Sequence, residues 1–180
     1  MVISKSQLRA VARPHLDLLS KQSRMTAQLA VWEKGSAVYV DIVLGPNDVP
    51  FLVVGNRDPA STVSTGKVLL AWRGAGALNQ ALQRLTKLTP KTITDIDKIQ
   101  ADLQATLSRG YAINRGECRP NTGGIAAPVF NQNGTCVASV GFCARPIKGL
   151  LGAKRAELAR IVTQAAAAIT RDLGGTPVSN

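Results

Sequence analysis

A chain of 180 residues, 45% apolar and 18% charged, can bury a core without staples and is too apolar to be disordered, so one domain is expected. No segment holds the roughly 18 consecutive apolar residues of a membrane span, and no signal-peptide core follows Met1–Lys5, so a soluble, cytoplasmic protein is expected. The formal charge of +11 suits nucleic acid or acidic small molecules, but the basic residues are scattered and suit a solvated surface equally.

In chain order, Leu8, Val11, Ala12, Leu18 and Leu19 carry a helical apolar period. Pro14 is expected to break it, leaving one helix before Arg13 and a second from His15 to about Arg24. Thr26–Trp32 and Ala37–Val43 read as strands joined by a turn at Glu33–Ser36. Gly45–Asp48 is a loop and Phe51–Val54 a short third strand. Small polar residues then precede an apolar helix that runs to Trp72, with Ser61 or Ser64 as its N-cap. A short helix is expected at Leu78–Leu85. Thr94 and Asp97 form a T-x-x-D capping pattern before a helix that carries Ile96, Ile99, Leu103 and Leu107 and stops at Gly110. Tyr111–Asn114, Gly124–Phe130 and Thr135–Phe142 read as strands, the last two joined at Asn131–Gly134 by an Asn-Gly hairpin signal. Leu158, Ile161, Val162, Ala165 and Ile169 line a final helix closed by Gly174 and Gly175, beyond which the tail frays. This order, with hairpins at both ends, predicts an α+β domain: a mostly antiparallel sheet with helices packed on it.

The chemistry-bearing residues form no catalytic constellation. Cys118, Cys136 and Cys143 are odd in number and lack a C-x-x-C pair, so buried free thiols are expected and neither a metal nor a cofactor. His15 is the one histidine and belongs to the first helix, so no Ser-His or Cys-His pair can form elsewhere. Gly66-Lys67 lacks the frame of a phosphate loop, since Ser61 and Val68 occupy its key positions. The helix starting near Ser64 nevertheless has unpaired N–H groups and a positive dipole end, which suit a carboxylate or phosphate. Asp95 and Asp97 are explained by helix capping, and Glu117 by salt-bridging or loop ordering among Arg115 and Arg119. Trp32 and Trp72 suit core or pocket lining, not a stacking platform for single-stranded nucleic acid. No helix-turn-helix fits before the first hairpin.

Six segments together carry a family resemblance: ARPHLDLLSKQS (Ala12–Ser23), VYVDIV (Val38–Val43), STGKVLLA (Ser64–Ala71), LTKLTPKTITD (Leu85–Asp95), RGYA followed by Glu117, and IAAPVFNQNG (Ile125–Gly134). In this order and spacing the chain resembles the effector-binding domain of IclR-family bacterial transcriptional regulators. The resemblance implies a GAF-like (profilin-like) antiparallel sheet flanked by helices, with a ligand pocket on one face. It also implies residues 1–13 as the end of a helix connecting to a missing N-terminal winged helix-turn-helix, 14–175 as the effector domain and 176–180 as a tail. The implied partners are a small organic acid, further copies of the chain in a homodimer or tetramer, and operator DNA through the missing domain alone. By position, the pocket would be built from Ser64, Thr65, Asn114, Gly124, Gly141 and Cys143. Asn114 stands where the family pattern has an acid, and Gly124 and Gly141 where it often has side chains. The expected consequence is a larger, less polar cavity for a ligand bulkier than glyoxylate or pyruvate, such as an aromatic acid. Two other readings are a thiol-dependent methionine sulfoxide reductase on a GAF-like fold, with Cys143 as nucleophile, and a stand-alone sensor.

Overall fold

The computed structural model describes residues 3–46, 52–147, 150 and 152–178. Helix α1 spans Lys5–Ser23, and strands β1 (Thr26–Glu33), β2 (Ser36–Val43) and β3 (Arg57–Pro59) follow. Next come α2 (Ser64–Arg73), α3 (Ala75–Leu82) and α4 (Ile96–Arg109), then β4 (Ala112–Arg115), β5 (Gly123–Phe130), β6 (Cys136–Ala144) and α5 (Arg155–Asp172). The predicted order of elements is therefore met. The sheet is antiparallel throughout, in the order β3-β2-β1-β6-β5-β4.

Three layers result. Along β1, Ala27, Leu29 and Val31 join the core under α1 and α5, whereas Ala30 joins the core under α2. On the first face α1 supplies Leu8, Ala12, Leu16 and Leu19, and α5 supplies Leu158, Ile161, Val162, Ala166 and Ile169. On the second face α2 covers the sheet, and α3 and α4 pack around Leu70 behind it. That second face, where α2 begins, holds the pocket that most of the predicted site residues line.

The local differences from the sequence reading have physical causes. Helix α1 runs unbroken through Pro14. An interior proline costs about 3 kcal/mol, but four buried apolar side chains of the helix, Leu8, Ala12, Leu16 and Leu19, bridge both halves against one core. Leu18, expected on the apolar stripe, is instead exposed. The third strand lies at Arg57–Pro59, not Phe51–Val54: Val53 and Val54 are exposed and lead into a turn at Gly55, and Phe51 lies outside the described residues. The predicted loop at Gly45–Asp48 is described only through Pro46. Helix α3 starts three residues earlier than expected, directly after Gly74. Asp95, not Thr94, caps α4, its side chain accepting from the Lys98 N–H at 3.1 Å. Gly110, at φ 82°, ends that helix as predicted. The Lys34-Gly35 turn of the first hairpin has positive φ at both residues, 46° and 84°, and a Cβ on Gly35 would lie 2.6 Å from the Gln80 carbonyl oxygen.

Candidate effector pocket

Neither Ser61 nor Ser64 caps α2. Val63 occupies the N-cap position, and among the described residues no side chain caps the first turn. The start of the helix is pressed down on both sides. Ser139 Oγ on β6 donates to the Thr65 carbonyl at 2.9 Å. At Gly66 an added Cβ would lie 2.4 Å from both Cα and O of Ala60, so only glycine lets the preceding turn pass. The next residue, Lys67, is 1% exposed. Its Nζ donates to Glu117 Oε1 at 2.5 Å, Asp102 Oδ2 at 2.6 Å and the Ile113 carbonyl at 3.0 Å. Gly66-Lys67 is thus a packing and ion-pair device, with Lys67 occupied in the interior. Glu117 does order its loop, as expected, but its cation is Lys67 rather than a neighbouring arginine, and its second oxygen accepts from the Arg115 N–H.

Below the start of α2 lies a small pocket of about 10 Å³, which a ligand must widen to enter, lined by Gln28, Tyr39, Leu52, Val63, Ser64, Asn114, Cys118, Arg119, Thr122, Gly123, Gly124 and Cys143. Strand register explains its floor. Thr26, Cys143, Gly124 and Asn114 form one row across β1, β6, β5 and β4, and Gln28, Gly141, Ala126 and Ala112 form the next. Of the six residues expected at the site, Ser64, Asn114, Gly124 and Cys143 line the pocket. Thr65 is fully buried beside them, and Gly141 lies in the second row without lining the cavity.

The two glycines do not enlarge the cavity. A Cβ on Gly124 would lie 2.5 Å from the Phe142 carbonyl oxygen and 2.9 Å from Ser64 Oγ, and one on Gly141 would lie 2.8 Å from the Ala126 Cβ. Their role is close packing of β5 and β6 under α2. Asn114 is also committed: its Oδ1 accepts from the N–H groups of Gly116 at 3.0 Å and Glu117 at 3.1 Å, shaping the loop that carries Cys118 and Arg119.

Sequence reasoning missed the opposite wall. Arg119 meets Asp58 in a fork, Nη1 to Oδ2 at 3.0 Å and Nη2 to Oδ1 at 2.8 Å, and the Tyr39 hydroxyl donates to Asp58 Oδ2 at 2.8 Å. Burial and then the Asp58 charge raise the Tyr39 pKa well above its ordinary value, so the phenol stays protonated. These partners lie 19 and 61 positions apart, a separation no local pattern reveals. Gln28 did leave a signal: a long polar side chain inside TAQLAVWE, among the first six residues of the strand, all of them buried.

The three thiols are free and buried, as expected. Burial pushes Cys118 up to about 11 and Cys136 and Cys143 up to about 12, with the Asp58 charge adding to the rise at Cys118 and Cys143. That direction is opposite to what a nucleophilic thiolate requires. Among the described residues no helix is long and apolar enough to cross a membrane.

The family model described as bacterial transcriptional regulator IclR C-terminal matches residues 1–171. The chain belongs to the IclR family. It is similar to the HTH-type transcriptional regulator XynR of Escherichia coli (strain K12), at 27% identity over 96% of this chain and 69% of that protein. It is also similar to the p-hydroxybenzoate hydroxylase transcriptional activator of Acinetobacter baylyi, at 31% identity over 77% of this chain and 54% of that protein. Among solved structures, an IclR homologue from Microbacterium hydrocarbonoxydans complexed with 4-hydroxybenzoate superposes with a TM-score of 0.85, at 26% identity, over 95% of this chain and 70% of that one. The chain is thus an IclR-type effector-binding domain, and its relatives are named as regulators of transcription rather than as enzymes.

Proposed function

We propose that this IclR domain senses a small organic carboxylic acid, with aromatic acids as the first class to test, in the pocket under α2. The observation that carries this reading is the start of α2, which no side chain caps and which opens through Ser64 onto that pocket. Unpaired N–H groups and the helix dipole favour an anion there. Backbone N–H groups at Ser64 and Thr65 hold the carboxylate. Asn114, Gly124 and Cys143 form the adjoining wall, and Gly141 supports the floor. The aromatic class is supported by two relatives, one named for p-hydroxybenzoate hydroxylase and one solved with 4-hydroxybenzoate.

The regulatory part of the proposal follows from linkage. The acid controls DNA binding only by favouring one arrangement of associated protomers over another. A winged helix-turn-helix reading DNA would join this domain through residues 1–13, and α1 passes that boundary without a break, which makes it a stiff connector. Residues 14–175 would then be the sensor, in a dimer or tetramer.

A thermal-shift screen of aliphatic and aromatic acids tests the ligand class. An acid present at a hundredfold excess over its dissociation constant adds about 2.7 kcal/mol, or roughly 5–11 °C for a domain of this size. Stabilisation by glyoxylate alone would refute the aromatic assignment, and no shift with any acid would refute the pocket's role. Light scattering with and without the active acid tests the protomer rearrangement.

A further inference from the structure

Two buried polar atoms at the pocket, Gln28 Oε1 and Thr65 Oγ1, have no hydrogen-bond partner among the described residues, and only the first belongs to a residue that lines the cavity. Gln28 is 3% exposed and lies on the pocket wall, and its Oε1 has no hydrogen-bond partner among the described residues. Buried amide oxygens are rarely left so, because losing water without a replacement partner is costly.

Several of the neighbouring polar groups are already committed elsewhere. Across β6 the residue paired with Gln28 is Gly141, and beyond it lies Ala126. The Tyr39 hydroxyl is given to Asp58, the Ser139 hydroxyl to the Thr65 carbonyl, and the Asn114 oxygen to two loop N–H groups. The charged groups at the edge are likewise engaged with each other, Arg119 with Asp58. What faces the cavity at Gln28 is a neutral amide that can both accept and donate.

Resting on the acid-binding reading above, we propose that the Gln28 amide selects acids that carry a hydroxyl group away from the carboxylate. A carboxylate at the start of α2 satisfies that end of the pocket but has no hydrogen to give Oε1. A hydroxyl both donates and accepts, so it pairs with the amide whichever of its two atoms faces the ligand. An unsubstituted ring or chain leaves the amide unpaired and dry, and a site built around such a group discriminates against the ligand that lacks the partner.

The test compares acids that differ by one hydroxyl: 4-hydroxybenzoate and 3-hydroxybenzoate against benzoate, and 6-hydroxyhexanoate against hexanoate. Titration calorimetry is run on the wild-type chain and on Gln28→Leu and Gln28→Met. The expected result is that a hydroxylated acid binds wild type about tenfold or more tightly than its partner. Both variants should reduce that preference to about threefold or less while binding the unsubstituted acid at least as well as wild type. Their melting temperatures without ligand should equal or exceed wild type, because an unpaired buried amide is being removed. A hydroxyl preference that survives Gln28→Leu and Gln28→Met overturns the proposal. So does a marked fall in the melting temperature of both variants, which would mean that the amide already has a partner. Acids that bind wild type with no hydroxyl preference overturn the role of Gln28 and leave the acid pocket standing. Failure of every acid to bind wild type removes the acid pocket and this inference with it.

Discussion

Replacing Lys67 by methionine probes the device that positions both walls of the pocket. The substitution keeps most of the buried stem and removes the charge. Glu117, 3% exposed, then loses its cation at 2.5 Å, and Asp102 loses its contact at 2.6 Å but keeps Arg109 at 3.8 Å. Breaking a buried ion pair from one side costs about 3–5 kcal/mol, because the remaining charge stays buried and unpaired. Domains have roughly 5–15 kcal/mol in all, so about a fifth or more of the stability is at stake. At about 2–4 °C per kcal/mol for a chain of this length, the melting temperature should fall by roughly 6–20 °C. Urea unfolding followed by the fluorescence of Trp32 and Trp72 measures the loss directly. Adding Glu117→Gln removes the stranded charge while keeping an oxygen for the Arg115 N–H, so the double variant should recover at least about 1 kcal/mol over Lys67→Met. A single variant within about 1 kcal/mol of wild type, or a double variant no more stable than the single, would refute the assigned roles.

Gly124→Ala should lose about 1–3 kcal/mol and weaken acid binding, since the new methyl would lie 2.5 Å from the Phe142 oxygen and 2.9 Å from Ser64 Oγ; tighter binding of a bulky acid by this variant would restore the idea of an open glycine-lined cavity. Asn114→Ala removes the acceptor for two loop N–H groups and should cost about 1–3 kcal/mol. Asn114→Asp keeps that acceptor and should unfold close to wild type in urea; equal losses in the two variants would contradict the loop-ordering role. Alkali should weaken the fold. The thiols ordinarily titrate near 9.0 but are pushed to about 11 at Cys118 and about 12 at Cys136 and Cys143, so the folded chain holds protons that the unfolded chain has released. Their contribution is complete below pH 9 and is lost as pH rises toward 12, and the raised Tyr39 pKa acts in the same direction above 10. Urea midpoints at neutral pH and above pH 9 measure the decline, and equal midpoints would refute it.

Much of the architecture was legible because short-range rules dictate it. Period-2 and period-3.6 apolar patterns placed most of the strands and helices. The αL glycine at position 110 and the Asn-Gly turn at 133–134 marked their ends. Those signals fail where packing overrules them. Pro14 reads as a break, yet α1 is continuous because Leu8, Ala12, Leu16 and Leu19 are all claimed by the same core. The run at 51–54 looks like a strand, but pairing to β2 falls on the less apolar Arg57–Pro59.

The pocket divides along the same line. A helix start beside Ser64 is a local property, and the sequence by itself determined it; the family resemblance singled out Asn114, Gly124 and Cys143, which line the same cavity. Only the tertiary structure decided that Lys67 turns inward to Glu117 and Asp102, that the glycines at 124 and 141 are closed by neighbouring strands, and that Asp58, Tyr39 and Arg119 meet across the pocket. It also decided that Gln28 faces a cavity with its oxygen unpaired. The reason is physical: a periodic pattern records which face of an element is buried, whereas a buried polar group's partner is chosen by strand order and register, which bring together residues far apart in the chain.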